Sequence, residues 1–547
     1  MVSLLTLLPV LILLLAALGI LVLRQFRPSI GYAWLIGAVS SLVTVGTVIF
    51  LRWRIPLDVV VEQWRPFGEL SSPPAFRLDI NSWPYVLSLA VLALGFIFTD
   101  SARLETEAKP MNWAKGLAIL ALGMLSVMAV SPITLVLIWT AVDLVEFFMV
   151  IRTDGGRRMG EQVVLTFTVR VAGTLLVLLA VLLSRSLNIQ FDLAPIPVEL
   201  AVFMLLAVGL RLGVLPLNLL FVQEVYAWRG LGNVMRMVGP ASSLAVLGRM
   251  PEQVVPVEWQ GLLLMLSAMA AVYGAAMFMA ADNELSGRPY WSIALAAMAV
   301  ASVINGSPRS SIAWGAALLI AGSVLFFYSA RMRQIIFIPL VAMVGITGLP
   351  FTPAASGWIG VVSSAPGLLD FLFIMAVICL LWGYARHVMR RREELYRMER
   401  WVHTVYIAGL VLLILAQWAI GVLGWRGSFT IGVWWASAAV AVIAAAGGVL
   451  AYSFRGVLAG NDSGSNRAIS FMWVLAFARR AAAVLAAVFR LNWLYRFIGG
   501  VYAALQYVVQ LITAMLEGDG GILWSLVMLA MLISLIRVSA AAVGALP

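Results

Sequence analysis

The chain has 547 residues, 63% of them hydrophobic and only 11% charged, with a mean hydropathy of +1.01. A soluble globular protein carries about a quarter of its residues as charges, so this composition excludes one and places the chain in a bilayer. The net charge of +11 does not indicate nucleic acid, because the basic residues sit in short loops beside apolar runs, where they set membrane topology.

Apolar runs of about 17 to 25 residues, the length that crosses a hydrocarbon core, predict about sixteen transmembrane helices. They fall near 4–23, 31–51, 83–99, 114–130, 132–151, 163–184, 197–218, 231–249, 260–280, 290–305, 311–330, 335–349, 368–385, 404–424, 431–452 and 520–540. The first run is too long for a signal peptide and lacks a basic n-region, so it is read as a span. Arg24 and Arg27, Lys109 and Lys115, Arg152, Arg157 and Arg158, Arg229, Arg331 and Arg333, and the basic run 386–400 all follow odd-numbered spans. The positive-inside rule puts these loops in the cytoplasm and the N-terminus outside, with Arg52, Arg54 and Arg65 as the exception. The expected location is a bacterial cytoplasmic membrane.

Two long segments interrupt this rhythm. The first, 52–81, contains Pro56, Pro66, Pro73 and Pro74 and is predicted to be an ordered outer loop or a paired hairpin. The second, 454–518, opens with a Gly/Asn/Asp/Ser linker. Arg467, Arg479, Arg480, Arg490 and Arg496 then alternate with apolar residues, the pattern of a helix lying on the membrane surface over about 467–515; an extra span is the alternative. The organisation read from this is 1–110 for helices 1–3 and the outer loop, 111–250 and 251–390 for two repeats, and 391–547 for the C-terminal helices. Cys379 is the sole cysteine, so no disulfide framework or thiolate metal site is expected. His387 and His403 read as solvated or headgroup-level side chains. Lacking a dinucleotide or phosphate-loop motif in the required context, the sequence predicts no cofactor and no metal.

Charges inside the spans carry the functional reading. Arg211 lies in the run Gly209 to Leu217 of the seventh span, and a permanent cation at a helix centre costs about 2.5–3.5 kcal/mol on insertion scales. Such a residue marks an ion path by default. Pro216 interrupts that span, and Gly348 and Pro350 interrupt the twelfth. Paired Gly/Pro-broken helices point to an inverted repeat, here helices 4–8 and 9–13, with a path between the units. Asp143 is the favoured partner of Arg211, with Glu146 second; Arg170 is read as a structural counter-ion. Arg236 and Glu224 complete the ion-path candidates, Glu224 also being readable as a solvated loop acid. Arg249 is expected to snorkel and Asp370 to be solvated near span ends.

At these residues the chain resembles the antiporter-like membrane subunits of complex I (NADH:quinone oxidoreductase), a family shared with multisubunit cation/proton antiporters and membrane-bound hydrogenases. Five stretches carry the resemblance: Leu78 to Pro84, Leu137 to Thr140, Phe167 to Val171, Arg211 to Leu217 and Gly345 to Gly357. It covers roughly 75–365 well and 491–540 loosely. The resemblance implies an all-α polytopic fold with two broken helices and a proton path through a fifth-helix glutamate and a seventh-helix lysine. This chain has Thr140 and Arg211 at those places, Gly239 near the eighth-helix polar position, Trp314 or Gly315 at the eleventh-helix lysine, and uncharged residues from Gly360 to Ser364 after the second break. Its only lysines are Lys109 and Lys115, in or beside one loop. A buried lysine can titrate, whereas arginine stays charged, so the implied path is modified.

The implied function is a proton- or cation-translocating membrane subunit of a complex-I-like or antiporter-like assembly, at most a non-redox subunit of such an oxidoreductase. A non-conducting structural subunit is the first alternative. The membrane half of a two-component inorganic-carbon uptake system, paired with a soluble zinc protein, is the second. Expected partners are other membrane subunits, with or without a soluble one, the lipid bilayer, and protons or monovalent cations; nucleic acid is excluded.

Overall fold

The computed structural model describes residues 5–453 apart from 27–29, 62–72, 104–108, 152–156, 218–228, 330–334, 363–366, 391–398 and 426–432, together with isolated residues between 500 and 533. The chain divides into two compact units, Met1–Ala486 and Ala487–Pro547, and the elements below belong to the first. The expected surface helix over 467–515 and the last expected span lie, isolated residues aside, outside the described residues.

The protein is an all-α polytopic membrane protein. Two helices, α1 (Leu8–Phe26) and α2 (Ile30–Leu51), lead to an antiparallel ribbon of β1 (Leu57–Val60) and β2 (Ala75–Leu78). Then follow α3 (Trp83–Asp100), α4 (Pro110–Met128), α5 (Pro132–Ile151), α6 (Arg157–Ser186), α7 (Val198–Leu212), α8 (Gly230–Leu247), α9 (Val257–Ala280) and α10 (Glu284–Ile304). Helix α11 (Pro308–Phe327) carries a π turn at Ala317–Ala321. The interrupted pair α12 (Phe337–Ile346) and α13 (Gly357–Val361) precedes α14 (Leu368–Met389), α15 (Arg400–Leu423) and α16 (Trp434–Ser453). Eleven helices among the described residues are long and apolar enough to cross a bilayer, which a helix does by satisfying its own backbone. Prolines open α3, α4 and α11, where their missing N–H costs nothing.

The hairpin expected in the outer loop is the β1–β2 ribbon, with Asp58 opposite Arg77. Val130 donates its N–H to the Ala75 carbonyl at 3.0 Å and anchors the ribbon to the end of α4. The Asp79 carboxylate accepts from the backbone N–H groups of Asn81 and Ser82 at 3.1 and 2.7 Å, turning the chain into α3. Arg52, at the end of α2, donates to the carbonyls of Leu423 and, at 3.2 Å, Gly424 beyond α15. Its guanidinium also lies 5.5 Å from the centre of the Trp83 ring.

Burial separates the helices into a core and a rim. The apolar windows of α10 and α11 are wholly buried and that of α3 nearly so, whereas only a third of each window in α1, α2 and α6 is covered. All of α8 is buried except Gly232, which is half-buried. It is a fully enclosed helix that nonetheless contains Asn233, Arg236, Ser242 and Ser243.

The first interruption lies four residues before Pro216 and not at it. Helix α7 ends at Leu212, and Gly213 takes φ 75°, the left-handed conformation that closes helix C-termini. The Gly209 carbonyl then accepts from Val214 and Leu215 at 2.8 and 3.1 Å. Arg211 is therefore not in mid-helix, as the sequence suggests, but in the last turn of α7. There the partial negative charge of the helix end favours a cation, a physical reason why the arginine is tolerated. The second interruption opens at Gly348, φ 73°, where a Cβ would lie 2.1 Å from Trp358 Nε1.

Candidate functional site

The site is built from the middle of α5 outward. Trp139, Asp143 and Glu146 are spaced i, i+4, i+7 and share the buried face of that helix. Thr140 is exposed and turns away from it. The place where the family resemblance puts an acid thus faces outward in this chain, and Asp143, one turn from Trp139, is the acid that faces α7.

Asp143 receives Arg211 in a two-pronged contact, Nη1 to Oδ2 at 2.6 Å and Nη2 to Oδ1 at 3.0 Å. Arg211 Nη1 also donates to the Arg170 carbonyl and the Thr174 hydroxyl, both at 3.1 Å. The guanidinium carbon sits 4.1 Å from the centre of the Trp139 ring, so the tryptophan covers the cation's flat face. Gly173 on α6 makes this seat possible: a Cβ there would approach Arg211 Cγ to 2.6 Å and the Ala207 carbonyl oxygen to 3.0 Å.

From Asp143 the charges continue in alternation. Arg170 on α6 reaches Asp143 Oδ1 at 3.4 Å and clasps Glu146 through both terminal nitrogens, Nη2 to Oε1 being 3.3 Å. Arg236 on α8 lies 3.8 Å from Glu146 Oε1. The result is a ladder, Arg211–Asp143–Arg170–Glu146–Arg236, across four helices, and every member is buried. Each carboxylate is bracketed by two guanidiniums, the arrangement that offsets the several kcal/mol per ion lost on leaving water. A cavity of about 30 Å³ lined by Asp143, Glu146, Phe167, Arg170 and Arg236 adjoins the ladder, room for about one water.

The structure thus brings Arg211, Asp143, Glu146, Arg170 and Arg236 together; Glu224 lies outside the described residues. Pro216 sits in the turn after α7, and Gly348 and Pro350 in the second interruption. That interruption has no matching charges among the described residues. The Trp314 indole donates to the Gly357 carbonyl at 3.0 Å and packs edge-on against Trp358 with ring centres 5.2 Å apart. Trp358 donates to the Thr347 carbonyl at 3.2 Å. Among the described residues no three His, Cys, Asp or Glu side chains group as metal ligands.

A second buried charged group contains, of the residues that the sequence singles out, only Arg229, which reads there as a loop residue. Arg229, at the start of α8, pairs with Glu284 of α10 at 2.6 Å. Arg288, one turn along α10, is fully buried, with its guanidinium carbon 5.6 Å from the centre of the Phe326 ring. Asp100 accepts from the Trp113 indole at 3.2 Å and from Arg103 at 3.4 Å, and Arg103 also holds the Phe327 carbonyl and the Ser329 hydroxyl, both at 3.0 Å. The available signal was the pair Glu284 and Arg288 just before the tenth span, which a window starting at 290 discards.

Three further expectations are corrected. Arg249 does not snorkel: it is buried and donates to the carbonyls of Ala129 and, at 3.2 Å, Val127, completing the C-terminus of α4. Asp370 is buried and accepts from the Gly367 N–H at 2.9 Å, capping α14. His387 is fully buried, its Nε2 lying 3.0 Å from the Phe278 carbonyl oxygen.

No protein-family model and no curated protein matches the sequence. Solved structures do. The chain superposes on a chain of the membrane-bound sulfane sulfur reductase, an archaeal respiratory membrane complex, with a TM-score of 0.66 at 14% identity, covering 96% of this chain and 99% of that one. A chain of the Mrp complex from Dietzia sp. DQ12-45-1b gives 0.62 at 17% identity, covering 91% of this chain. This chain spans 63% of that Mrp chain's length. A chain of respiratory complex I from Thermus thermophilus gives 0.59 at 20% identity, with 81% and 100% covered. This is the fold of an antiporter-like membrane subunit of complex I type.

Proposed function

We propose that this antiporter-like chain is an ion-translocating membrane subunit of a multisubunit complex, moving protons or monovalent cations beside other membrane subunits. We place it in a bacterial cytoplasmic membrane with its N-terminus outside. The observation that carries the reading is the five-membered ladder beside the break of α7, with each carboxylate shared between two guanidiniums. A guanidinium does not release its proton at physiological pH, so Arg211 cannot act as a titrating lysine would. The switch instead works by exchange of partners. When Arg211 withdraws from Asp143, Glu146, beside the cavity, takes up a proton from water there and passes it to Asp143, and the return of Arg211 displaces it.

A second reading, a structural subunit without transport, is favoured by one observation: Arg211 and Asp143 are matched two-to-two, as in a static tie. Purification of the native complex with all co-migrating subunits, followed by ion flux in proteoliposomes, separates the two. The translocation reading expects flux that Glu146→Gln abolishes while the complex stays assembled. Flux equal in wild type and Glu146→Gln, or none in a complete complex, overturns it.

A further inference from the structure

Gln417, in the outer half of α15, is fully buried, and among the described residues neither Oε1 nor Nε2 has a hydrogen-bond partner. An unbonded amide in an apolar interior is costly, and a buried group left in that state marks a place where an exogenous ion or molecule completes the bonding. Helix α15 packs against α3, α12 and the π turn of α11. A Cβ on Gly345 would lie 2.5 Å from Gln417 Nε2 and 3.3 Å from Oε1. Gly345 is the residue before last in α12, so the amide lies against the final turn of the helix that ends at the second interruption. The backbone from Gly345 to Gly348 is buried throughout.

The carbonyls of that final turn are unevenly matched. Val344 accepts from the Thr347 N–H at 3.1 Å, and Thr347 from the Trp358 indole at 3.2 Å. Gly345 accepts a long bond, 3.3 Å, from Ala354. Ile346 accepts none among the described residues, because four places on, where a continuing helix would bring its donor, stands Pro350. The end of α12 also carries the partial negative charge of a helix C-terminus. Residues 83–99, 310–329, 335–369 and 404–425, which include the faces packed together here, hold no charged side chain. The spot is therefore negative in potential and neutral in formal charge, with no carboxylate or lysine to take up a proton.

We infer that Gln417 and the end of α12 form a binding site for a dehydrated monovalent metal cation of the sodium or potassium class. Its ligands are Gln417 Oε1 and the carbonyl oxygens of Ile346 and Gly345. A half-turn of the amide exchanges its oxygen and nitrogen and presents Oε1 to the ion. Neutral oxygens of this kind replace the water shell of an alkali ion, and the C-terminal end of a broken membrane helix is where carbonyls are left over to do so. At the first interruption each carboxylate is already bracketed by two guanidiniums, which leaves none for a metal ion. The two breaks thus divide the traffic, protons at the first and the metal cation at the second. The inference deepens the translocation reading by naming the cation's class and its place.

The test is equilibrium binding of radioactive sodium to the purified native complex in a choline buffer. The wild type is expected to bind the ion saturably, with displacement by unlabelled sodium or potassium and none by added choline. Gln417→Met, straight-chained like glutamine but without the amide, should bind roughly tenfold more weakly or worse, and Glu146→Gln should bind as the wild type does. Gln417→Glu keeps an oxygen and adds a titratable group, so its affinity should rise with pH where that of the wild type is constant. Absence of saturable binding in the wild type overturns the inference, whatever the variants do. So does an unchanged affinity in Gln417→Met or, if that variant fails to assemble, an affinity in Gln417→Glu that matches the wild type at every pH. Binding without flux in a complete complex keeps the site and removes the translocation reading. Flux without binding does the reverse.

Discussion

At the first interruption the chain ends α7 with a left-handed glycine and fills the gap with a guanidinium held by Asp143; at the second it ends α12 with another left-handed glycine and fills the gap with two indoles. The backbone solution is the same, because a broken membrane helix needs a residue free to adopt positive φ and partners for its loose carbonyls. The contents differ in kind. Arg211 donates to a carboxylate, a carbonyl and a hydroxyl at once, whereas the tryptophans satisfy one carbonyl each. A break is therefore a scaffold for either chemistry, and in this protein only the first half of the bundle uses it for charge among the described residues.

The sharpest way to break that contrast is Asp143→Ala, which strands Arg211 in a buried site. Loss of one partner from a buried pair costs about 3–5 kcal/mol, so thermal unfolding of the purified protein should show a drop greater than that of Gly348→Ala, Arg211→Lys or Arg77→Ala. Gly348→Ala attacks the second break, where the Cβ collides with Trp358 and the backbone must hold positive φ. A loss of about 2–4 kcal/mol is expected by the same measurement, partly relieved by adding Trp358→Ala, and additivity of the two would show that the collision is not the cause. Arg211→Lys gives up the two-pronged contact but restores a titratable group; a smaller stability loss should accompany altered pH dependence of ion flux, and an unchanged pH profile would mean that partner exchange does not govern the ladder. Smallest is Arg77→Ala on the outer ribbon, where both partners of the Arg77–Asp58 pair are a third or more exposed and about 0.2–1 kcal/mol is at stake.

Much of this was legible in the residues. The apolar runs located the helices, and Asp143, Arg170, Arg211 and Arg236 stood out because a charge in an apolar run is costly enough to need a reason. Position along the helix was harder. Pro216 looks like the breaker, but a glycine three residues earlier ends α7, since a carbonyl left over at a helix end is closed by a left-handed residue. Thr140 and Asp143 read as near neighbours on α5, and a turn of about 60° separates an exposed threonine from a buried acid. Glu284, Arg288 and Arg103 were missed because each borders a span, where a hydropathy window cannot distinguish a charge buried among helix ends from one in water. Asn233 carries no charge and gives no signal until α8 is known to be enclosed on every side.

The grip of Arg52 on the carbonyls of Leu423 and Gly424 sets a schedule for making the protein. The arginine leaves the ribosome some 371 residues before its acceptors do, an interval of about 20–70 s at ordinary rates of synthesis. Through that interval the first two helices stand in the membrane with a cation that lacks its carbonyl acceptors and has only the earlier-made Trp83 ring to face. Truncation anywhere before residue 423 should therefore leave the amino-terminal hairpin as the first target of membrane quality control, far in sequence from the lesion.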